Sequence, residues 1–171
     1  MGIKKEPFSD KPIRWINIRQ ALIGILTLIL GGCFYLVDRP PESAWFVNHF
    51  LSSISLYGKY PPIFGTLGGM FPEFAHVFGF ILLTGALFHD KPKCYPTISL
   101  VWMIINLLFE LGQKFGREIA VWLSEKQVDI PGLSAIATYF HRGTFDPMDI
   151  ATIIAGSVMA YATLLLTKNR H

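Results

Sequence analysis

Four stretches of the chain carry no charge and are dominated by apolar residues: Gln20 to Val37, Phe74 to Phe88, Tyr95 to Phe109 and Ile150 to Thr167. A membrane-spanning helix needs roughly 17–25 such residues. The first and last stretches reach that length alone. The middle two reach it with the apolar turns beside them, Ile63 to Met70 and Leu111 to Phe115. The pattern predicts an all-α fold, a four-transmembrane-helix bundle with spans at about 20–37, 72–88, 95–115 and 147–167. A polar, basic segment over residues 1–19 precedes a membrane domain over 20–171.

The connections differ in length. Spans two and three are joined by the tight loop His89-Asp-Lys-Pro-Lys93, whereas the connections after spans one and three are long. In the first, Pro40-Pro41 ends the span and Glu42 to Leu56 reads as a short amphipathic helix. Trp45, Phe46, His49 and Phe50 suit it to the interface. Tyr57 to Gly69 is rich in Gly and Pro and is expected to be irregular. In the second, Ile119 to Gln127 alternates apolar and charged faces. Asp129 to Phe140 offers Asp129 as a cap with Pro131 in the first turn.

Composition narrows the class. Apolar residues make up 51% and charged residues 16% of the 171 positions, against roughly 25% charged in a soluble domain. Too little polar surface remains to solvate a soluble bundle, so the lipid bilayer is the expected environment. The net charge of +3 forms no separate basic patch, which argues against a nucleic-acid partner. Its distribution sets an orientation. The N-terminal segment, the loop after span two and the C-terminal tail together hold nine basic and three acidic residues, and the remaining segments hold six and nine. Excess Lys and Arg marks cytoplasmic segments, so both termini are expected in the cytoplasm and the two long connections outside. Leu30-Gly-Gly-Cys33 resembles a lipoprotein cleavage box, but the apolar run continues to Val37, and an uncleaved span is expected. Cys33 and Cys94 fall at opposite ends of the bundle, too far apart for a disulfide.

The candidate chemistry lies at three helix ends on the outer side: Glu73/His76, Glu110/Gln113 and Asp146/Asp149, each pair three residues apart and so on one helix face. Polar groups are cheaper in a bundle interior than against lipid, so the pairs are expected to face one another in a pocket between spans two, three and four. Arg142 is the expected counter-ion or the handle for an anionic ligand. Asp146 and Asp149 also have an ordinary reading as helix-capping acids. Asn106 reads as a helix–helix hydrogen bond, and Gly79, Gly85 and Gly156 as close-packing sites. Arg117 and Glu118 read as solvated loop charges.

His76 with Phe80 four residues on, then Glu110-x-x-Gln113-x-Phe115, then Arg142 ahead of Asp149 and Gly156, resembles the VanZ-like family of small integral membrane proteins. The chain departs from that pattern in having Pro72-Glu73 where the family often has Asp-Lys, Ile153 for an Asn and Ala160 for a Gly. The resemblance implies a bacterial cell-envelope protein of the inner (cytoplasmic) membrane, linked to glycopeptide antibiotic resistance of the teicoplanin type.

Three functions follow as expectations. The first is binding of an anionic lipid-linked or glycan-bearing envelope ligand, with Glu73, Gln113, Arg142, Asp146 and Asp149 as ligand-binding residues. The second is a membrane-embedded hydrolase or transferase, with His76 and Glu110 as catalytic residues. There His76 is general base, and Glu73 or Glu110 orients it. The third is a carboxylate/His metal site built from Glu73-x-x-His76 with Glu110 and Asp149. Only one such pair occurs, so neither metal nor other cofactor is expected. Transport through four spans would need a homo-oligomer.

Overall fold

The computed structural model describes residues 15–41, 47–61, 63–125, 140 and 145–168. Five α-helices run through them: α1 (Ile18–Asp38), α2 (Thr66–Leu87), α3 (Tyr95–Lys114), α4 (Gly116–Glu125) and α5 (Pro147–Thr167). The described residues contain no strand, only one bridge between Tyr57 and Tyr60. The expected all-α bundle is formed. α1, α2, α3 and α5 are each long and apolar enough to cross a membrane, which makes this a multi-pass membrane protein.

α2 is the hub. Half of its spanning residues are buried, 50% against 17% for α3. It packs most extensively on α1 and next on α5, while α3 leans more on α5 than on α2. The core joins Val77, Phe78, Ile81 and Leu82 of α2 to Tyr95 of α3 and to Ile153, Ala160 and Leu164 of α5.

Small residues allow these approaches, because in lipid it is van der Waals contact that holds helices together. A Cβ added at Gly79 would lie 2.6 Å from Leu28 Cγ and 3.1 Å from the Gly24 carbonyl oxygen, so α1 and α2 touch backbone to backbone. Added at Gly156, it would lie 2.6 Å from Val77 Cγ1, and at Gly85 it would run into Leu164 Cδ2. The close-packing role expected of these three glycines holds.

One end of the bundle is tied by side chains. Asn17 caps α1, accepting from Arg19 N and Gln20 N, and its Nδ2 donates to the Thr167 carbonyl across the bundle. Its backbone N–H donates to the Ala86 carbonyl. Gln20 Nε2 donates to Tyr95 Oη at 3.3 Å and the Leu164 carbonyl at 3.4 Å. The ends of α2 and α5 and the starts of α1 and α3 therefore meet at one level. Antiparallel connection brings Asp38, Glu73, Glu110 and Asp146 together at the other.

Two expectations about the connections are corrected. α2 starts at Thr66, ahead of the position expected near residue 72, and runs through Gly68, Gly69 and Pro72. The Gly/Pro content of that stretch reads as irregular, yet tertiary contacts override it. Asp38 at the end of α1 accepts from Ile63 N (2.9 Å) and Phe64 N (2.8 Å), anchoring the chain just before the helix. Gly65 then turns it at φ 53, a conformation open to glycine. Pro72 removes the helical donor to the Gly68 carbonyl, and the next carbonyl, Gly69, accepts from the Arg39 guanidinium. Stacking of Phe34 on Phe64 (4.0 Å) and Phe71 (4.6 Å) fixes α1 against this entry.

In the first long connection, the described residues form a π turn at Val47–Leu51 and a 3-10 turn at Ser52–Ile54 in place of a regular amphipathic helix. His49 and Phe50 are exposed. In the second, α4 forms over the expected alternating stretch, and Arg117 and Glu118 on it are exposed. Trp45, Phe46, the Asp129 helix and the segment 1–14 lie outside the described residues.

Candidate functional site

α3 packs more on α5 than on α2, and a cleft of about 230 Å³ lies between α2 and α3. Glu73, His76 and Phe80 of α2 line it, with Trp102, Ile105, Asn106, Phe109, Glu110 and Gln113 of α3. Positions 102, 106, 109, 110 and 113 recur at helical spacing, so one stripe of α3 supplies this wall.

Polar groups occupy the rim. Glu110, an ionisable residue, is only 2% exposed. One of its carboxylate oxygens accepts from Asp146 N at 3.0 Å, and the other from Gln113 Nε2 at 3.3 Å. It thus ties α3 to the first turn of α5 and holds the Gln113 amide at the cleft edge. Glu73 accepts from Tyr35 Oη of α1 at 3.3 Å. Asn106 Nδ2 donates within its own helix to the Trp102 carbonyl at 2.8 Å. The helix–helix bond expected of Asn106 is therefore replaced by a local one, which leaves the amide on the cleft wall.

The floor is aromatic. Phe80 stacks on Trp102 at 4.8 Å, and Trp102 Nε1 donates to Thr84 Oγ1 at 2.9 Å, stitching α2 to α3 beneath the opening. His76 sits between Tyr35 and Phe80, with ring centroids 6.1 Å and 6.2 Å away. The Arg39 guanidinium lies 5.2 Å above the Tyr35 ring and donates to the Gly69 carbonyl.

The sequence-predicted residues separate into two groups. Glu73, His76, Glu110 and Gln113 share the cleft, as expected. Asp146 and Asp149 do not line it. Asp146 is exposed and caps α5, accepting from Met148 N at 2.9 Å. Asp149 is 8% exposed, buried on α5 behind the cleft. The expectation of a pocket walled by three spans is corrected on this point: α5 supports the cleft wall without forming it. Arg142 lies outside the described residues.

Glu73, Glu110, Asp146 and Asp149 gather at this end, with the Arg39 guanidinium near Glu110 and Asp149. Sequence reasoning gave Arg39, Asp38 and Tyr35 no role. The available signal was their position at the last turn of span one, level with Glu73, and the Tyr35/Arg39 spacing of four.

The orienting bonds expected for a His76 base are not formed. Glu73 is engaged by Tyr35 and Glu110 by Asp146 and Gln113, and His76 makes only ring contacts among the described residues. No three His, Cys, Asp or Glu among the described residues are grouped to hold a metal ion. What the arrangement can do is accept hydrogen bonds at its rim, donate from two amides and offer π faces below. Comparison of the chain with known protein families, curated proteins and solved structures yields no match.

Proposed function

We propose that this is a binding protein of the bacterial cell envelope, VanZ-like in kind. It takes the polar head of a lipid-linked or glycan-bearing molecule into the α2–α3 cleft. Its termini face the cytoplasm and the cleft faces outward, a reading supported by the excess of Lys and Arg in the terminal segments and the loop after α2. The observation that carries the proposal is the cleft itself, polar at the rim and aromatic at the floor, at the end of a membrane-spanning helix pair. Carboxylates and amides at membrane depth are costly unless they serve a ligand or one another.

The volume bounds the ligand. About 230 Å³ is below the 300–1,000 Å³ of ordinary ligand pockets. That suits a single sugar or other small head group better than an oligosaccharide. Exposed Ile105 and Phe109 on the cleft wall leave room for the attached chain to lie in the bilayer. The anionic character expected of the ligand rested on Arg142. The described lining instead favours groups that donate hydrogen bonds, such as hydroxyl, amide or amine.

The test is to extract the protein from membranes and identify the bound amphiphiles by mass spectrometry, beside an Ile105→Trp variant that fills the cleft. A specific amphiphile retained by the native chain and lost from the variant is the expected result. Equal retention by both would overturn the proposal. Altered teicoplanin susceptibility on expression is the matching cellular readout for the resistance role.

A further inference from the structure

We infer that the cleft selects an ammonium-bearing head group on an amphiphile that enters sideways from the bilayer between α2 and α3. This rests on the proposed binding role and specifies its ligand.

Three observations carry it. First, the cleft is a side opening. Phe80, Ile105 and Phe109 line it and are 37%, 37% and 48% exposed, so its apolar wall continues onto the outer surface of the bundle. The adjacent α3 residues Val101, Ile104 and Leu108 are exposed too, which gives a continuous apolar track for a hydrocarbon chain. Second, the charged groups among the described lining residues are both carboxylates, Glu73 and Glu110. The nearest described guanidinium, Arg39, is committed to the Gly69 carbonyl and the Tyr35 ring and does not line the cleft. Third, the floor offers the stacked Phe80 and Trp102 rings. A cation gains from an aromatic face, most strongly from Trp and more when desolvated. An ammonium group in the cleft meets the Glu73 and Glu110 carboxylates and the aromatic residues Phe80 and Trp102. An anionic head meets the reverse.

The probes are three single-chain amphiphiles of equal chain length, an alkylammonium, an alkyl glucoside and an alkyl phosphate. Each is titrated into the purified full-length protein in nanodiscs, and bound molecules are counted by native mass spectrometry. The expected order is ammonium, then glucoside, then phosphate. Glu73→Gln should weaken the ammonium about tenfold, the loss of one charge-assisted hydrogen bond, and weaken the glucoside by less, since the amide oxygen still accepts from a hydroxyl. Ile105→Trp should remove both.

If the glucoside binds in an Ile105→Trp-sensitive manner and the ammonium no better, ammonium selection is overturned and the binding role stands. A preference for the phosphate overturns it in favour of an anionic ligand. An unchanged ammonium affinity in Glu73→Gln overturns it as well. Absence of cleft-dependent binding by all three removes the binding role and this inference together.

Discussion

At the Asn17 end of the bundle, polar side chains reach across between helices: Asn17 to Thr167, Gln20 to Tyr95 and Leu164. At the Glu73 end, polar side chains also join helices, Tyr35 to Glu73 and Glu110 to Asp146 N, but they do so beside a cleft between α2 and α3 whose wall carries the Asn106 and Gln113 amides. The first end spends its polar groups on joining helices. The second keeps several facing a space, at the cost of crowding like charges. Stability should therefore depend mainly on the middle and the tied end, and ligand binding on the open end.

The largest expected effect is at the α1–α2 contact. A Cβ on Gly24 would lie 3.0 Å from the Gly79 carbonyl oxygen, a backbone atom unable to step aside. Gly24→Leu should cost about 3 kcal/mol, at the upper end for overpacking, or prevent folding. Thermal unfolding in detergent followed by circular dichroism reads it. A native-like transition would mean that α1 is not seated on α2 this closely.

Next is Asn17→Ala at the tied end. It removes the α1 cap and the bond to Thr167, together about 2 kcal/mol. The same unfolding measurement applies. A loss below that of Glu110→Ala would invert the comparison of the two ends.

Glu110 separates structure from chemistry at the open end. Glu110→Ala leaves Asp146 N without its acceptor and should cost about 1–2 kcal/mol. Glu110→Gln keeps an acceptor oxygen and removes one charge from the crowded acids, so it should stay within about 0.5 kcal/mol of the native chain. If Glu110→Gln is as damaging as Glu110→Ala, the charge of Glu110 serves the fold.

Much of this was legible in the sequence, and the limits are physical. The spans stand out because lipid demands a long uncharged run, and all four helices fall on such runs. Glu73, His76, Glu110 and Gln113 stood out because polar groups are rare in such runs. Asp38 and Arg39 did not, since a charge at a helix end is ordinary. Only coordinates show Asp38 holding Ile63 and Phe64, and Arg39 reaching Gly69. The start of α2 was misplaced for the same reason. Local Gly and Pro signals were overridden by an anchor about 25 residues away in the chain. The share of α5 in the cleft was misplaced because three polar pairs at one level do not say which helices leave a space between them. Whether α3 leans on α2 or α5 depends on which glycines and rings meet, and no run of hydropathy encodes that.

The smallest effect on stability, and the sharpest on function, belongs to Ile105→Trp. Ile105 is exposed on the cleft wall and absent from the buried core, so a larger side chain has open space to enter. Its unfolding should match the native chain within about 0.5 kcal/mol, as for surface substitutions remote from packing. The indole should nonetheless fill most of the space beside Phe80 and Trp102 and abolish amphiphile binding. Stability and binding would then separate at one residue, with the tied end intact and the open end closed. If binding survives with unchanged affinity, the ligand sits elsewhere on the bundle. If instead unfolding shifts by more than about 1 kcal/mol, α3 packs more tightly there than a cleft allows. The opening at the Glu73 end would then be a seam between helices and not a site.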